Sequence, residues 1–201
     1  MGEAPSALRQ HRTLRLQQDS LFSDVYESQE NNCRFDWEFC DTRHGEGLEM
    51  RQAGMTADEY KTVLQSILQV HSQLALEHLN AIKHALPQKA RQVMVGVHPG
   101  QSEEGFFDIV VHLEGPDLYV LHKAIERHRL LFEVKCIDGQ MRPDVPMFDP
   151  DEAAFSVNDV IVDICMEWIE GLWQRLGGLG LPSFVFGEEG YGTVESKPLL
   201  P

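Results

Sequence analysis

The sequence predicts an α+β fold: an antiparallel sheet of about four strands, with two long helices and one short helix packed mainly on one face. Three observations carry that expectation. A thirty-residue amphipathic run opens at Thr56 on a capping box. Two β-branched-rich runs follow, joined by a short loop containing Gly and Pro. A second long helical run near the C-terminus then stands between a proline-rich loop and a last strand.

The elements take their places in order. From Thr56, with Glu59 three residues on, the first helix is expected to run to about Leu86 and to stop at Pro87, which cannot continue the ladder. Tyr60, Val63, Leu64, Ile67, Leu68, Leu74, Leu79, Ile82 and Leu86 fall on one face, with His71 and His78 near its centre. "QVMVGVH" (92–98) and "FFDIVVHLE" (106–114) read as a hairpin. "LYVLHKAIERH" suits a short helix with Leu118, Leu121 and Ile125 inward, and "LLFEVKCID" reads as a third strand ended by Asp-Gly. "GQMRPDVPMFDPDEAAF" reads as a loop. Ser156 then caps the second long helix, which Gly177 and Gly178 close. "SFVFGEE" is the last strand, and "GYGTVESKPLLP" reads as a tail.

Residues 1–54 differ in character: few apolar residues and no sustained period of 2 or 3.6. They are expected to form a poorly ordered or peripheral N-terminal extension, and residues 55–201 a single α+β domain beginning at Met55.

Composition narrows the function classes. The net charge of −15 repels nucleic acid and anionic lipid and attracts basic partners. No apolar run has transmembrane length, and no basic–apolar–small leader opens the chain. Cys136 and Cys165 sit inside apolar runs, where a thiol acts as a small hydrophobe. A reducing cytoplasm is the expected location.

Charge patterning marks one candidate site. In "NDVIVDICMEWIEGLW" a helical turn of about 100° per residue sets Asp159, Asp163, Glu167 and Glu170 in one stripe. Like charges four residues apart cost roughly 0.2–0.5 kcal/mol per pair, so the stripe is either a solvated seam or a docking surface. The preceding loop adds Asp144, Asp149, Asp151 and Glu152. These eight carboxylates are the expected partner-binding residues, with Trp168 and Trp173 as either anchors or core.

No catalytic set is evident, so the expectation is a non-enzymatic protein with no cofactor and no metal. His71 and His78 are a heptad apart, roughly 10 Å along the axis, too far to share one ion; they, His98 and His112 are expected to be satisfied core or interface histidines. Cys33, Cys40 and His44 lack zinc-knuckle spacing and a fourth ligand. One enzymatic alternative is a divalent-metal-dependent hydrolase. Asp108 followed by Glu133-x-Lys135 is similar to the metal-binding core of the restriction-endonuclease-like fold, where two carboxylates hold Mg²⁺ and the lysine assists a water. A polyanionic substrate does not suit a charge of −15.

The acidic loop "DVPMFDPDE", the acidic stripe and the missing catalytic set together resemble the small acidic α+β immunity proteins that bacteria encode beside secreted toxins. The resemblance implies a cytoplasmic protein that binds one basic toxin and blocks its active site. Independently of it, the net charge argues against a nucleic-acid partner, and a first helix that is not basic argues against a membrane. Self-association through the histidine-bearing face of the first helix is a third reading.

Overall fold

A computed structural model describes residues 54–137 and 140–201. The expectation for the N-terminal extension lies outside the described residues, Gly54 excepted.

Helix α1 spans Ala57–Ala85. Its capping box closes as expected: the Glu59 amide donates to Thr56 Oγ1 at 3.3 Å, and the Thr56 amide donates to Glu59 Oε2 at 2.8 Å. Two of the first-turn orphan N–H groups are thereby satisfied. Strands β1 (Gln92–Pro99) and β2 (Phe107–Glu114) form the expected antiparallel hairpin, with Val95 opposite Val111. Helix α2 (Leu118–Ile125) buries Leu121 and Ile125, while Leu118 is half-buried.

The third strand departs from expectation. It divides into β3 (Leu130–Glu133), which pairs with β2, and β4 (Lys135–Ile137), which pairs with β5 (Gln140–Arg142) as a separate two-stranded sheet. The Asp-Gly dipeptide read as a strand end separates two paired strands. The Gln-Met-Arg expected as loop is thus a strand, and the dipeptide itself lies outside the described residues. Helix α3 spans Val157–Leu176 and stops at Gly177, whose φ of 70° lets its N–H reach Trp173 O at 3.0 Å.

Strand β6 (Ser183–Gly187) lies parallel to β1, and β7 (Ser196–Pro198) pairs antiparallel with β6. The main sheet is thus five-stranded and mixed, ordered β3-β2-β1-β6-β7, not an antiparallel sheet of four. The parallel pair follows from α3: a long helical crossover returns the chain to the end of the sheet where β1 begins. The segment expected as a tail supplies the edge strand β7 and a buried Leu199.

Alternation places Val93, Val95, Val97, Ile109, Val111 and Leu113 on one sheet face, each almost wholly buried. The parallel helices α1 and α3 cover that face, α1 over β3 and α3 over β1 and β6. Trp168 joins the two helices by donating from Nε1 to Ser72 Oγ at 2.9 Å. Tyr60 is fully buried against Phe148 and Phe155, but its hydroxyl has no hydrogen-bond partner among the described residues. Burial accordingly pushes its phenol far above the usual range. Tyr60→Phe is expected to leave urea stability unchanged or raised, whereas Tyr60→Ala is expected to lower it by about 3–5 kcal/mol.

Candidate functional site

Helices α1 and α3 run parallel to each other and antiparallel to β1 and β6, which sets both helix N-termini and the C-terminal ends of both strands at one end of the domain. The β1–β2 loop lies against the β5–α3 loop there: the Phe148 amide donates to Glu104 O at 3.1 Å, and Asn158 Nδ2 donates to Gly100 O at 2.9 Å. Carboxylates collect at this end from every contributing segment. Asp58 and Glu59 come from the first turn of α1, Glu103 and Glu104 from the β1–β2 loop, and Glu188 and Glu189 follow β6. Asp144, Asp149, Asp151 and Glu152 come from the β5–α3 loop. Of these last four, Asp144, Asp151 and Glu152 are exposed, and Asp149 is half-buried. Asp149 Oδ1 accepts from the Asp151 amide at 2.9 Å, and its carbonyl accepts from the amides of Glu152 and Ala153, so the loop turns on itself.

Among the described residues the nearby cations are Lys61, paired with Asp58 at 3.7 Å, Lys135, paired with Glu133 at 2.7 Å, and Arg142, which donates to Gln140. Lys83, Lys89, Arg91 and Arg175 lie towards the opposite end, where α1 and α3 terminate. Acids at helix N-termini and bases at C-termini each offset the macrodipole. That accounts for first-turn Asp58, Glu59 and Asp159, but not for the loop carboxylates.

The stripe of α3 behaves differently. Asp159 Oδ1 accepts from the Gly192 amide at 2.7 Å. Asp163 Oδ1 accepts from the amide and hydroxyl of Thr193 at 2.8 and 2.9 Å. Glu170 Oε1 meets Lys197 Nζ at 3.6 Å. Three of the four stripe carboxylates therefore hold the segment from Gly192 to Lys197, and Glu167 is left exposed. Gly192 has a φ of 80°, and a Cβ there would lie 2.6 Å from Val162 Cγ1, so only glycine brings this backbone so close to α3. Sequence spacing placed the stripe correctly on one face. It could not register that a segment thirty residues downstream would use it.

A second cluster lies on the sheet face away from α1 and α3. His98 Nε2 and His112 Nε2 are 3.3 Å apart, and Arg129 Nη2 donates to His112 Nδ1 at 3.1 Å. Because arginine only donates, His112 carries its proton on Nε2 and passes a hydrogen bond to His98, whose Nε2 must accept. The network thus fixes both tautomers. His122 stacks edge-on to His112 with ring centres 5.8 Å apart, and Phe186 packs on both central imidazoles. Gly96 makes room, since a Cβ there would lie 2.7 Å from Phe186 Cζ. Burial, with the Arg129 guanidinium nearby, lowers His98 to about 4. Burial, His98 and Arg129 hold His112 well below the ordinary imidazole value. Neutral and interlocked, these rings bind the sheet face together. The α1 histidines are also engaged, His71 Nδ1 with Ile67 O and His78 Nδ1 with Leu130 O, each at 2.9 Å.

Asp108 and Glu133 are direct cross-strand partners, so the structure brings together the carboxylates of the hydrolase alternative. Lys135 is ion-paired to Glu133, and Asp108 acts electrostatically on Arg129. Among the described residues, no group of three or more His, Cys, Asp or Glu side chains is placed to hold a metal ion.

A family model matches residues 55–199, a span running from just before α1 to just past β7. The chain belongs to DUF6389, a family of unknown function. No curated protein and no solved structure matches it. The DUF6389 span contains both the acidic end and the histidine–arginine cluster. No described helix is long and apolar enough to cross a membrane.

Proposed function

We propose that the chain is a non-enzymatic protein-binding module that captures a basic protein at its acidic end. The observation supporting this reading is the convergence of loop carboxylates there. Asp144, Asp151 and Glu152 are exposed and belong to no ion pair among the described residues, in a chain of net charge −15. Such a field raises encounter rates with cationic partners by about tenfold or more and excludes polyanions. The partner fitting the immunity-type resemblance is a basic toxin domain, met in the cytoplasm, where the free thiols Cys136 and Cys165 are at home. The docking set is centred on the β5–α3 loop. Glu167 extends it along α3, while Asp159, Asp163 and Glu170 contribute field rather than direct contacts.

The test pairs the wild-type chain with Asp144→Lys/Asp151→Lys/Glu152→Lys as baits in native lysate, followed by stopped-flow kinetics on the retained protein. The expected result is a basic protein held by wild type alone. Its on-rate is expected to fall about tenfold in the variant and to fall again with added salt. Equal capture by both baits, or a salt-independent on-rate, overturns the reading.

A further inference from the structure

The buried seam of α1 is not its only apolar one. Val63, Ile67, Val70 and Leu74 recur at intervals of four, three and four, the 3.5-residue spacing of a helix–helix contact. Val70 lies about 160° around the helix from Ser72, the residue bonded to Trp168 of α3, so this seam faces away from α3. Val70 is 79% exposed and Leu74 52%. The seam overhangs the sheet edge formed by β3: the His71 ring packs on Phe132 with centres 5.1 Å apart, and Leu130 of that strand is itself 39% exposed. On its outer side β3 has no neighbour among the described strands. Apolar surface therefore continues from α1 onto an open strand edge.

Charge identifies the occupant. The chain carries −15, yet Thr62–Leu76 contains no Asp, Glu, Lys or Arg. A surface built for a basic partner carries carboxylates. A surface where two identical, strongly anionic chains meet must lack them, because like charges across an interface cost several kcal/mol and interface cores are depleted of charge. The seam is also self-complementary. Its midpoint falls between Leu68 and Gln69, so an antiparallel two-fold pairing sets Val63 of one copy against Leu74 of the other and Ile67 against Val70, with the two Val70 side chains close to the axis.

We propose that this flank of α1, with the β3 edge beneath it, is the contact between two copies of the chain. It is independent of the acidic end, which stays open in the pair, and the two respond oppositely to salt. Salt screens repulsion between copies and strengthens pairing, whereas it weakens capture of a basic partner.

Light scattering on the full chain tests the proposal. Wild type is expected at twice the chain mass at tens of micromolar, with the dimer fraction rising from low to moderate salt. Val70→Glu and Val70→Lys are each expected at the single-chain mass with unchanged far-UV circular dichroism, since the side chain is not part of the core. An equimolar mixture of the two is expected to regain the double mass, as glutamate and lysine meet near the axis. A single-chain mass for wild type, a dimer that survives both substitutions, or a mixture that stays monomeric overturns the proposal.

Discussion

Acidifying the folded chain from pH 6.5 to about 4 is expected to remove about 3 kcal/mol or more of stability, read as a falling urea midpoint. The sign follows from His98 and His112, whose folded pKa values lie below the ordinary 6.5, His98 at about 4. Over that interval the unfolded chain binds a proton at each ring while the folded chain resists, so stability falls as protons are added. It is fully present above 6.5, and His98's share is lost by about 4. For His98 the shift of 2.5 units at 1.36 kcal/mol each gives the figure of about 3 kcal/mol. His112 adds to it in the same direction.

The opposite result is what net charge alone predicts. A chain at −15 should gain stability as acid relieves its self-repulsion. Carboxylates with ordinary pKa values near 4 remain ionised down to about pH 5, so the upper part of the interval reports the imidazoles. His98→Gln separates the two contributions. Its amide oxygen can accept the His112 Nε2–H, and it does not titrate, so the slope between pH 6.5 and 5 is expected to shrink. A stability that rises on acidification, or a slope unchanged in that variant, shows that the cluster does not govern acid sensitivity.

How much of this was legible beforehand depended on whether the signal was local. The capping box, the α1 stop before Pro87, the β1–β2 hairpin and the Ser156 and Gly177 caps were readable because each depends on residues within a few positions. The mixed sheet was not, because the pairing of β1 with β6 joins Val93 to Ser183 across ninety residues. Strand β7 was missed for a related reason. Ser196–Pro198 is too short and polar to show periodicity, and it is a strand only because β6 offers an edge and α3 offers anchors. Four histidines were visible as engaged residues, but Arg129, which sets the His112 tautomer, gave no signal in sequence. The loop carboxylates of the acidic end were visible, and their company from Glu103, Glu104, Glu188 and Glu189 depended on topology.

Removing the two anchoring carboxylates by Asp159→Ala/Asp163→Ala is expected to release the C-terminal segment while leaving the helix–sheet core folded. Three hydrogen bonds are lost, from Gly192 N and from the amide and hydroxyl of Thr193. Bonds to charged acceptors contribute roughly 1.5–3 kcal/mol each, and because these are partly solvated and share one segment, about 3 kcal/mol in total is the expected loss. Hydrogen exchange reads it directly. The Leu199 amide, bonded to Ser183 O, and the Gly187 amide, bonded to Glu195 O, are expected to lose about a hundredfold in protection. The β1–β2 amides are expected to keep theirs. Glu170→Gln is the control: its pairing with Lys197 is over a third exposed at the glutamate and spans 3.6 Å, so its removal should change little. Unchanged protection at Leu199 in the double alanine variant would mean that β-pairing alone holds the segment. The same measurement bears on recognition. A cation that takes Oδ1 of Asp159 or Asp163 in the folded chain must first displace Gly192 or Thr193, so a partner docked in that way would deprotect Leu199, whereas one docked on the β5–α3 loop would not.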